Sequence, residues 1–273
     1  MKKYAKYLLI AFVAVLLYTF FFREQEDRNE HAPRDYAEII RSGTLRAVTE
    51  YNSISFHAEG DSVAGFHYEL VNAFARSKGL TPEITPEMSF ANSLKGVQEG
   101  KYDILANSVA VTSASKDSLL FTQPILLNKQ VLVQRKPQAD KDSATYVHSQ
   151  LELAGKTLHL VKGSPAIFRI HNLGNEIGDT IYVNEVEKYG QEQLLAMVAY
   201  GDIDYAVCDE SIAEASLADF PQLDIETAIS FSQFYSWGVS KHSPVLLDSL
   251  NAWLDSYIHT AEFHALYKKY YKH

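Results

Sequence analysis

From Gly43 onward the chain alternates short apolar runs with amphipathic stretches, and does so on both sides of a polar segment. TLRAVT (44–49) has the character of a strand, and YELVNAFARSKG (68–79) carries apolar residues at helical spacing and closes on Gly79. TPEITPEM predicts a turn and strand, SLKGVQEGK a short helix, YDILANSVAV a near-continuous apolar strand, and QVLVQR (130–135) another. Strands separated by helices need crossover connections, which implies parallel pairing. A second unit follows the polar stretch KPQADKDSA (136–144). GKTLHLV (155–161) predicts a strand, and GSPA opens a helix with Ser164 as N-cap and Pro165 at its first position. DTIYVN predicts a strand, QEQLLAMVAYG a helix, and IDYAVCD (203–209) an apolar strand ending on an acid. Leu246, Leu250, Trp253 and Tyr257 recur at spacings of three and four, so the last 30 residues predict one long helical region. The expectation is an α/β chain of two lobes, joined by extended polar segments near 134–145 and 230–240, with a cleft between them.

Composition narrows the chemistry. A formal net charge of −9 argues against a nucleic-acid partner, whose phosphates demand a basic face. The single cysteine, Cys208, excludes an internal disulfide and any cysteine-based zinc cluster. No G-x-S-x-G or H-E-x-x-H motif occurs, and none of the 10 histidines forms an H-x-H pair. His67, His159 and His171 are scattered over different elements. Neither a metal nor a cofactor is expected.

The N-terminus sets the compartment. Lys2, Lys3 and Lys6 precede an uninterrupted apolar and aromatic run from Tyr7 to Phe22, followed at once by the polar REQEDRNEH. A basic flank before an apolar run reads as a membrane anchor or a secretory signal. No small-x-small pair follows to mark a cleavage site, and no cysteine invites lipid attachment. The run covers about 24 Å as a helix, short for a bilayer but tolerable with local thinning. The lysines place the N-terminus in the cytoplasm and the remainder outside. Residues 1–23 are thus expected to be signal anchor or signal peptide, with 24–39 as a charged tether.

In open parallel sheets, ligands bind beyond the carboxyl ends of the strands. Those ends carry Glu50, Tyr51 and Phe56 after the first strand, and Ser108 and Thr112 around the end of the buried YDILANSVAV strand. Gly163 and Ser164, opening the helix of the second unit, turn N–H groups toward an anion. Asp209 ends the IDYAVCD strand. Tyr51, Phe56 and Phe90 offer apolar walls. Each residue also has a plain structural role open to it: Ser164 and Asp209 as helix caps, the aromatics as lobe core. Together they describe a site for a small polar ligand.

The chain resembles the family 3 extracytoplasmic solute-binding proteins, the amino-acid-binding group with the type II periplasmic-binding-protein fold. The resemblance runs through G-T-L-R-A-V-T-E (43–50), G-F-H-Y-E-L (65–70), M-S-F-A-N-S-L (88–94), G-K-Y-D-I-L (100–105) and F-T-Q-P (121–124). It continues in V-K-G-S (161–164), G-D-I-D-Y-A-V-C-D (201–209), S-W-G-V-S-K (236–241) and the terminal K-K-Y-Y. The form G-F-H-Y-E-L is most similar to the binding domain of membrane-bound lytic murein transglycosylase F. The resemblance implies discontinuous lobes, 40–133 plus 234–273 and 134–233, with a hinge of two crossing strands and a cleft that closes on its ligand.

The resemblance also sets expectations for the site. Asp209 matches the family's ammonium-binding aspartate, and Gly163-Ser164 the loop that donates N–H groups to a ligand carboxylate. Ser115, beside Lys116, falls where the family has its carboxylate-clamping arginine, and Ala110 where it has an ammonium-binding threonine. Neither serine nor lysine reproduces the paired bonds of a guanidinium. Arg169 is the best-placed substitute; Arg46 and Arg76 read as residues of solvated faces. The expected ligand is small, polar and amine-bearing: amino-acid-like, a peptide or a muropeptide. The expected partners are an ABC permease or an envelope enzyme, with the inner membrane reached through the N-terminal helix. A transglycosylase needs a second domain with a catalytic glutamate, which these 273 residues are not expected to hold. The expectation is a binder and not an enzyme. The alternatives are a cyclohexadienyl-type dehydratase using Asp209 and Glu50 as acid and base, and a non-binding regulatory module.

Overall fold

A computed structural model describes residues 32–137 and 145–271. The expected anchor or signal segment, 7–22, lies outside them. No helix among the described residues is long and apolar enough to cross a membrane.

The first lobe is built on a six-stranded sheet. Strand β1 (Thr44–Thr49) lies parallel to both β4 (Thr81–Pro86) and β5 (Ile104–Ala110). The crossovers are made by α2 (Phe66–Ser77) and α3 (Phe90–Gln98), as strand–helix alternation requires. The hairpin β2 (His57–Glu59) and β3 (Ser62–Ala64) is inserted after β1. Gly65, which opens α2, sits at φ 138°, and a Cβ there would fall 2.3 Å from the Ser55 carbonyl oxygen. Only glycine fits. After α4 (Ser113–Ser118) come the short strands β6 (Leu120–Phe121) and β7 (Leu126–Asn128).

The chain then crosses. Strand β8 (Gln130–Arg135) belongs to the second, five-stranded sheet with β9 (Thr157–Val161), β10 (Tyr182–Val186), β11 (Ala206–Asp209) and β12 (Leu223–Asp224). Here β9 runs parallel to β10 and β11, while β8 runs antiparallel to β11. Helices α5 (Ala166–Ile177), α6 (Gln191–Tyr200) and α7 (Glu210–Ser216) connect these strands. The chain returns through β13 (Gln233–Val239), which pairs antiparallel with β5, β6 and β7 in the first sheet. The two crossings are tied together where Gln130 N–H donates to Ser230 Oγ (2.9 Å) and Ile229 N–H donates to the Gln130 carbonyl (2.8 Å). Sheet membership therefore places the crossings at 128–130 and 229–233, a few residues before the expected boundaries at 133–134 and 233–234. The reason is that the apolar QVLVQR strand is buried in the second sheet, not the first.

Two further expectations are corrected. The segment expected as a tether, 24–39, is helical at its end. Helix α1 (Tyr36–Ser42) begins under a capping box of Asp35 and Glu38 and buries Ile39. Just before it, Arg34 reaches the buried Asp103, which also accepts from Arg46. The C-terminal region is not one helix but two, α8 (Pro244–Tyr257) and α9 (Ala261–Tyr271). Thr260 Oγ1 accepts from the Phe263 N–H (3.2 Å), restarting the helix. The break lets α9 fold back over α2, where Phe66 meets Phe263, Tyr267, Tyr270 and Tyr271 edge-on. Ser164, expected as N-cap of α5, stands one residue earlier. Pro165 occupies the cap, and Ser164 Oγ accepts from the Ala166 N–H at 3.3 Å.

Candidate functional site

The carboxyl ends of β1, β5, β9 and β11 converge on the gap between the lobes, as open α/β sheets dictate. The gap encloses a cavity of about 50 Å³ lined from the first lobe by Glu50, Glu87, Met88, Phe90, Asn107, Ser108, Ala110 and Tyr235. From the second lobe and the crossing come Gln130, Val161, Ser164, Pro165, Ala166, Gln191, Val207, Cys208 and Asp209.

Two carboxylates face each other across it through one amide. Gln191, the first residue of α6, donates from Nε2 toward Glu50 Oε2 and Asp209 Oδ2, each at 3.4 Å. Its Oε1 accepts from the Asp209 backbone N–H at 2.7 Å. Tyr235 on β13 donates its hydroxyl to Asp209 Oδ1 at 2.8 Å. Asp209 is buried, and that burial pushes its pKa up to about 6 against the bonds from Tyr235 and Gln191. Glu50 is pushed further, to about 7, by burial of its carboxyl and by the charge of Asp209. Burial likewise raises Tyr235 and Cys208, keeping both neutral.

The remaining polar lining is rich in acceptors. Asn107 Oδ1 and Gln130 Oε1 are buried and have no hydrogen-bond partner. Behind them, Trp237 Nε1–H donates to His67 Nδ1 (2.9 Å), so His67 Nε2–H donates to Ser108 Oγ (3.0 Å). Burial holds His67 neutral, its pKa lowered to about 3. Among the described residues no lysine, arginine or histidine lines this cavity.

The lobes touch around the site. Ser53, on the first lobe, donates N–H (2.8 Å) and Oγ–H (2.5 Å) to Glu192 of α6. At Gly163, held at φ 73°, an added Cβ would come within 3.4 Å of Ala91 Cβ on the opposite lobe.

Of the residues singled out in the sequence, Glu50, Phe90, Ser108, Ser164 and Asp209 line this cavity. Thr112, Ser115 and Gly163 line a neighbouring, more apolar cavity of about 160 Å³, which Phe90 also borders. Thr112 and Ser115 cap α4 reciprocally, and Ser115 Oγ also donates to the Ala110 carbonyl (3.1 Å). Tyr51 and Phe56 lie outside both cavities. Phe56 sets its edge on Tyr68 at 5.5 Å, and Tyr51 is exposed beside it. The loop expected to hold a ligand carboxylate is already engaged: Gly163 N–H donates to Glu185 Oε2 (3.0 Å) and Ser164 N–H to the Val161 carbonyl (3.0 Å). Arg169 is engaged as well, by Glu176 (2.6 Å) and the Ile229 carbonyl (3.0 Å).

Sequence reasoning passed over Gln191, Tyr235, Gln130 and Asn107. Asn107 sits one residue before Ser108 on the same buried strand, so an asparagine in YDILANSVAV was a readable signal. Gln191 and Tyr235 reach the site only because two lobes meet, which no local pattern announces.

The profile of the bacterial extracellular solute-binding proteins, family 3, matches residues 44–273. Among curated relatives, the membrane-bound lytic murein transglycosylase F of Desulfosudis oleivorans is 27% identical over 237 residues, covering 86% of this chain and 50% of that protein. Its counterpart in Alteromonas mediterranea is 27% identical over 249 residues, covering 89% and 52%. The chain spans about half the length of the curated relatives it matches. Among solved structures, a variant of the arginine-binding protein ArgBP from T. maritima superposes with a TM-score of 0.73 at 22% identity, over 87% of this chain and 99% of that one. The ancestral amino-acid-binding protein AncCDT-1, a precursor of cyclohexadienyl dehydratase, gives 0.71 at 22% identity, over 86% and 99%. At that identity the likeness shows the fold.

Proposed function

Because this chain belongs to the bacterial extracellular solute-binding proteins of family 3, we propose that it binds a small polar, amine-bearing solute in the cleft between its lobes, without chemistry. The observation that carries the reading is the acidic pair at the interlobe cavity, half-buried Glu50 and buried Asp209, joined through Gln191 and paired with no cation among the described residues. A buried carboxylate is costly unless it is paired, and an ammonium group is its natural partner. The cross-cleft contacts of Ser53, Gln191 and Tyr235 describe the closed form, which a ligand would favour. The family and the membrane-bound relatives support a place in the cell envelope, with delivery to an ABC permease or signalling to an envelope enzyme as the roles such binding would serve.

The test is thermal unfolding of the full chain against amino acids, short peptides, polyamines and muropeptides. A ligand that binds only the folded form raises the melting temperature by mass action. In the Asp209→Ala variant the same ligand should bind one to two decades more weakly, since a charged hydrogen bond is worth about 1.5–3 kcal/mol. Unchanged affinity in that variant would remove Asp209 from the site, and no shift with any class of solute would remove the binder.

A lyase reading draws on the same pair. With pKa values near 7 and 6, Glu50 and Asp209 are poised to exchange a proton around neutrality. It stays second because a carboxylate substrate finds no cation in the cavity lining.

A further inference from the structure

We propose that the cleft takes a compact organic cation with no carboxylate of its own, its ammonium or guanidinium head seated between Glu50 and Asp209, and that seating it releases a proton held by the pair. The inference rests on the binder reading and narrows its ligand, setting amino acids, peptides and muropeptides aside.

Three observations carry it. First, the charged groups lining the cavity are acids, Glu50, Asp209 and Glu87, and beside them Asn107 Oδ1 and Gln130 Oε1 are buried without a partner among the described residues. Both residues are only 5% exposed, so water from outside does not readily serve them. A cationic head with several N–H donors can bond the Glu50 and Asp209 carboxylates together. Second, the anion side of the cleft is already filled from within the chain. Glu185 holds the Gly163 N–H, Val161 holds the Ser164 N–H, and Ser115 is folded into its helix cap. A ligand carboxylate would meet Glu50, Asp209 and Glu87 with no positive charge to offset them. Third, the cavity is small, about 50 Å³ against the ~150 Å³ that admits benzene, which suits a compact head group between the two acids.

The proton follows from the surroundings of the pair. Glu87 at the end of β4 and Glu192 on α6 add negative charge, Cys208 on β11 and Tyr235 on β13 stay neutral, and Glu210 on α7 is paired with Lys129 at 2.8 Å. Among the described residues no cation offsets the two acids, so one of them keeps a proton into the neutral range. A bound cation stabilises both carboxylates and expels that proton.

Isothermal titration calorimetry of the full chain tests this with methylamine, guanidinium, L-alanine and Mg²⁺, at about pH 8 and about pH 5.5. Methylamine or guanidinium should bind, roughly tenfold or more tighter at the higher pH, with about one proton released per ligand near pH 6.5 in buffers of different ionisation enthalpy. In Glu50→Gln the proton release near pH 6.5 should fall to a small fraction, the part that Asp209 alone still holds. Binding of L-alanine as tight as that of the amines would overturn this inference and leave the solute-binding reading standing. Displacement of the amines by Mg²⁺ would overturn the organic cation. Undiminished proton release in Glu50→Gln would overturn the shared pair, and silence from all four probes would overturn the ligand class, leaving the broader solute panel to decide whether the chain binds at all.

Discussion

At the scale of single residues, the cleft acids set a stability cost that varies with pH. Glu50 and Asp209 have folded-state pKa values above their ordinary ones, near 7 and 6. The folded protein therefore holds protons that the unfolded chain has lost between about pH 4 and pH 7. Over that window stability falls as pH rises, and the full cost is present above it. At about 1.4 kcal/mol per pKa unit this amounts to roughly 3 kcal/mol for each acid. Glu50→Gln removes one of the two charges. Its melting temperature should exceed that of the unmodified protein at about pH 8 by several degrees and match it at about pH 5. A melting temperature for Glu50→Gln that tracks the unmodified protein across the range would show that the carboxylates do not oppose each other. Glu50 and Asp209 were legible because they stand at the ends of β1 and β11, and strand ends face clefts; Ser108 lies two residues inside the end of β5. Tyr235 was not legible: its hydroxyl reaches Asp209 from 26 positions away in sequence, across the lobe boundary.

At the scale of elements, strand–helix alternation was legible almost throughout, since apolar period and glycine punctuation act locally. What escaped was where elements stop. The stripe of Leu246, Leu250 and Trp253 continues the helical pattern past Tyr257, yet the Thr260 cap restarts the chain so that Phe263, Leu266 and Tyr270 can pack on the first lobe. The final turn is a tertiary decision, settled by the aromatic cluster around Phe66. The segment before α1 shows the same override. A charged stretch with a proline reads as linker, but Arg34 is drawn in by Asp103, whose side chain is fully buried and shared with Arg46. Removing that acid strands two guanidinium groups. Asp103→Ala should cost about 3–5 kcal/mol in urea unfolding, the usual loss when one member of a buried ion pair is deleted. A loss under about 1 kcal/mol would mean that this clasp is as weak as a surface ion pair.

At the scale of the whole molecule, two sheets joined by two crossings place the acidic pair where it is complete only when the lobes meet. Gln191 spans from α6 to Glu50, and Glu192 beside it holds Ser53. On the proposed reading binding and closure are one event: a cation drawn to Asp209 would be enclosed only when Glu50 arrives from the opposite lobe. Spin labels at Tyr51→Cys and Tyr189→Cys, both exposed positions near the cleft rim, report that event, and the native Cys208 is too buried to be labelled. The account predicts a broad distance distribution without solute that shortens and narrows when methylamine is added at saturating concentration. A distribution unchanged by a solute that calorimetry shows to be bound would contradict closure on the ligand, and with it the central claim.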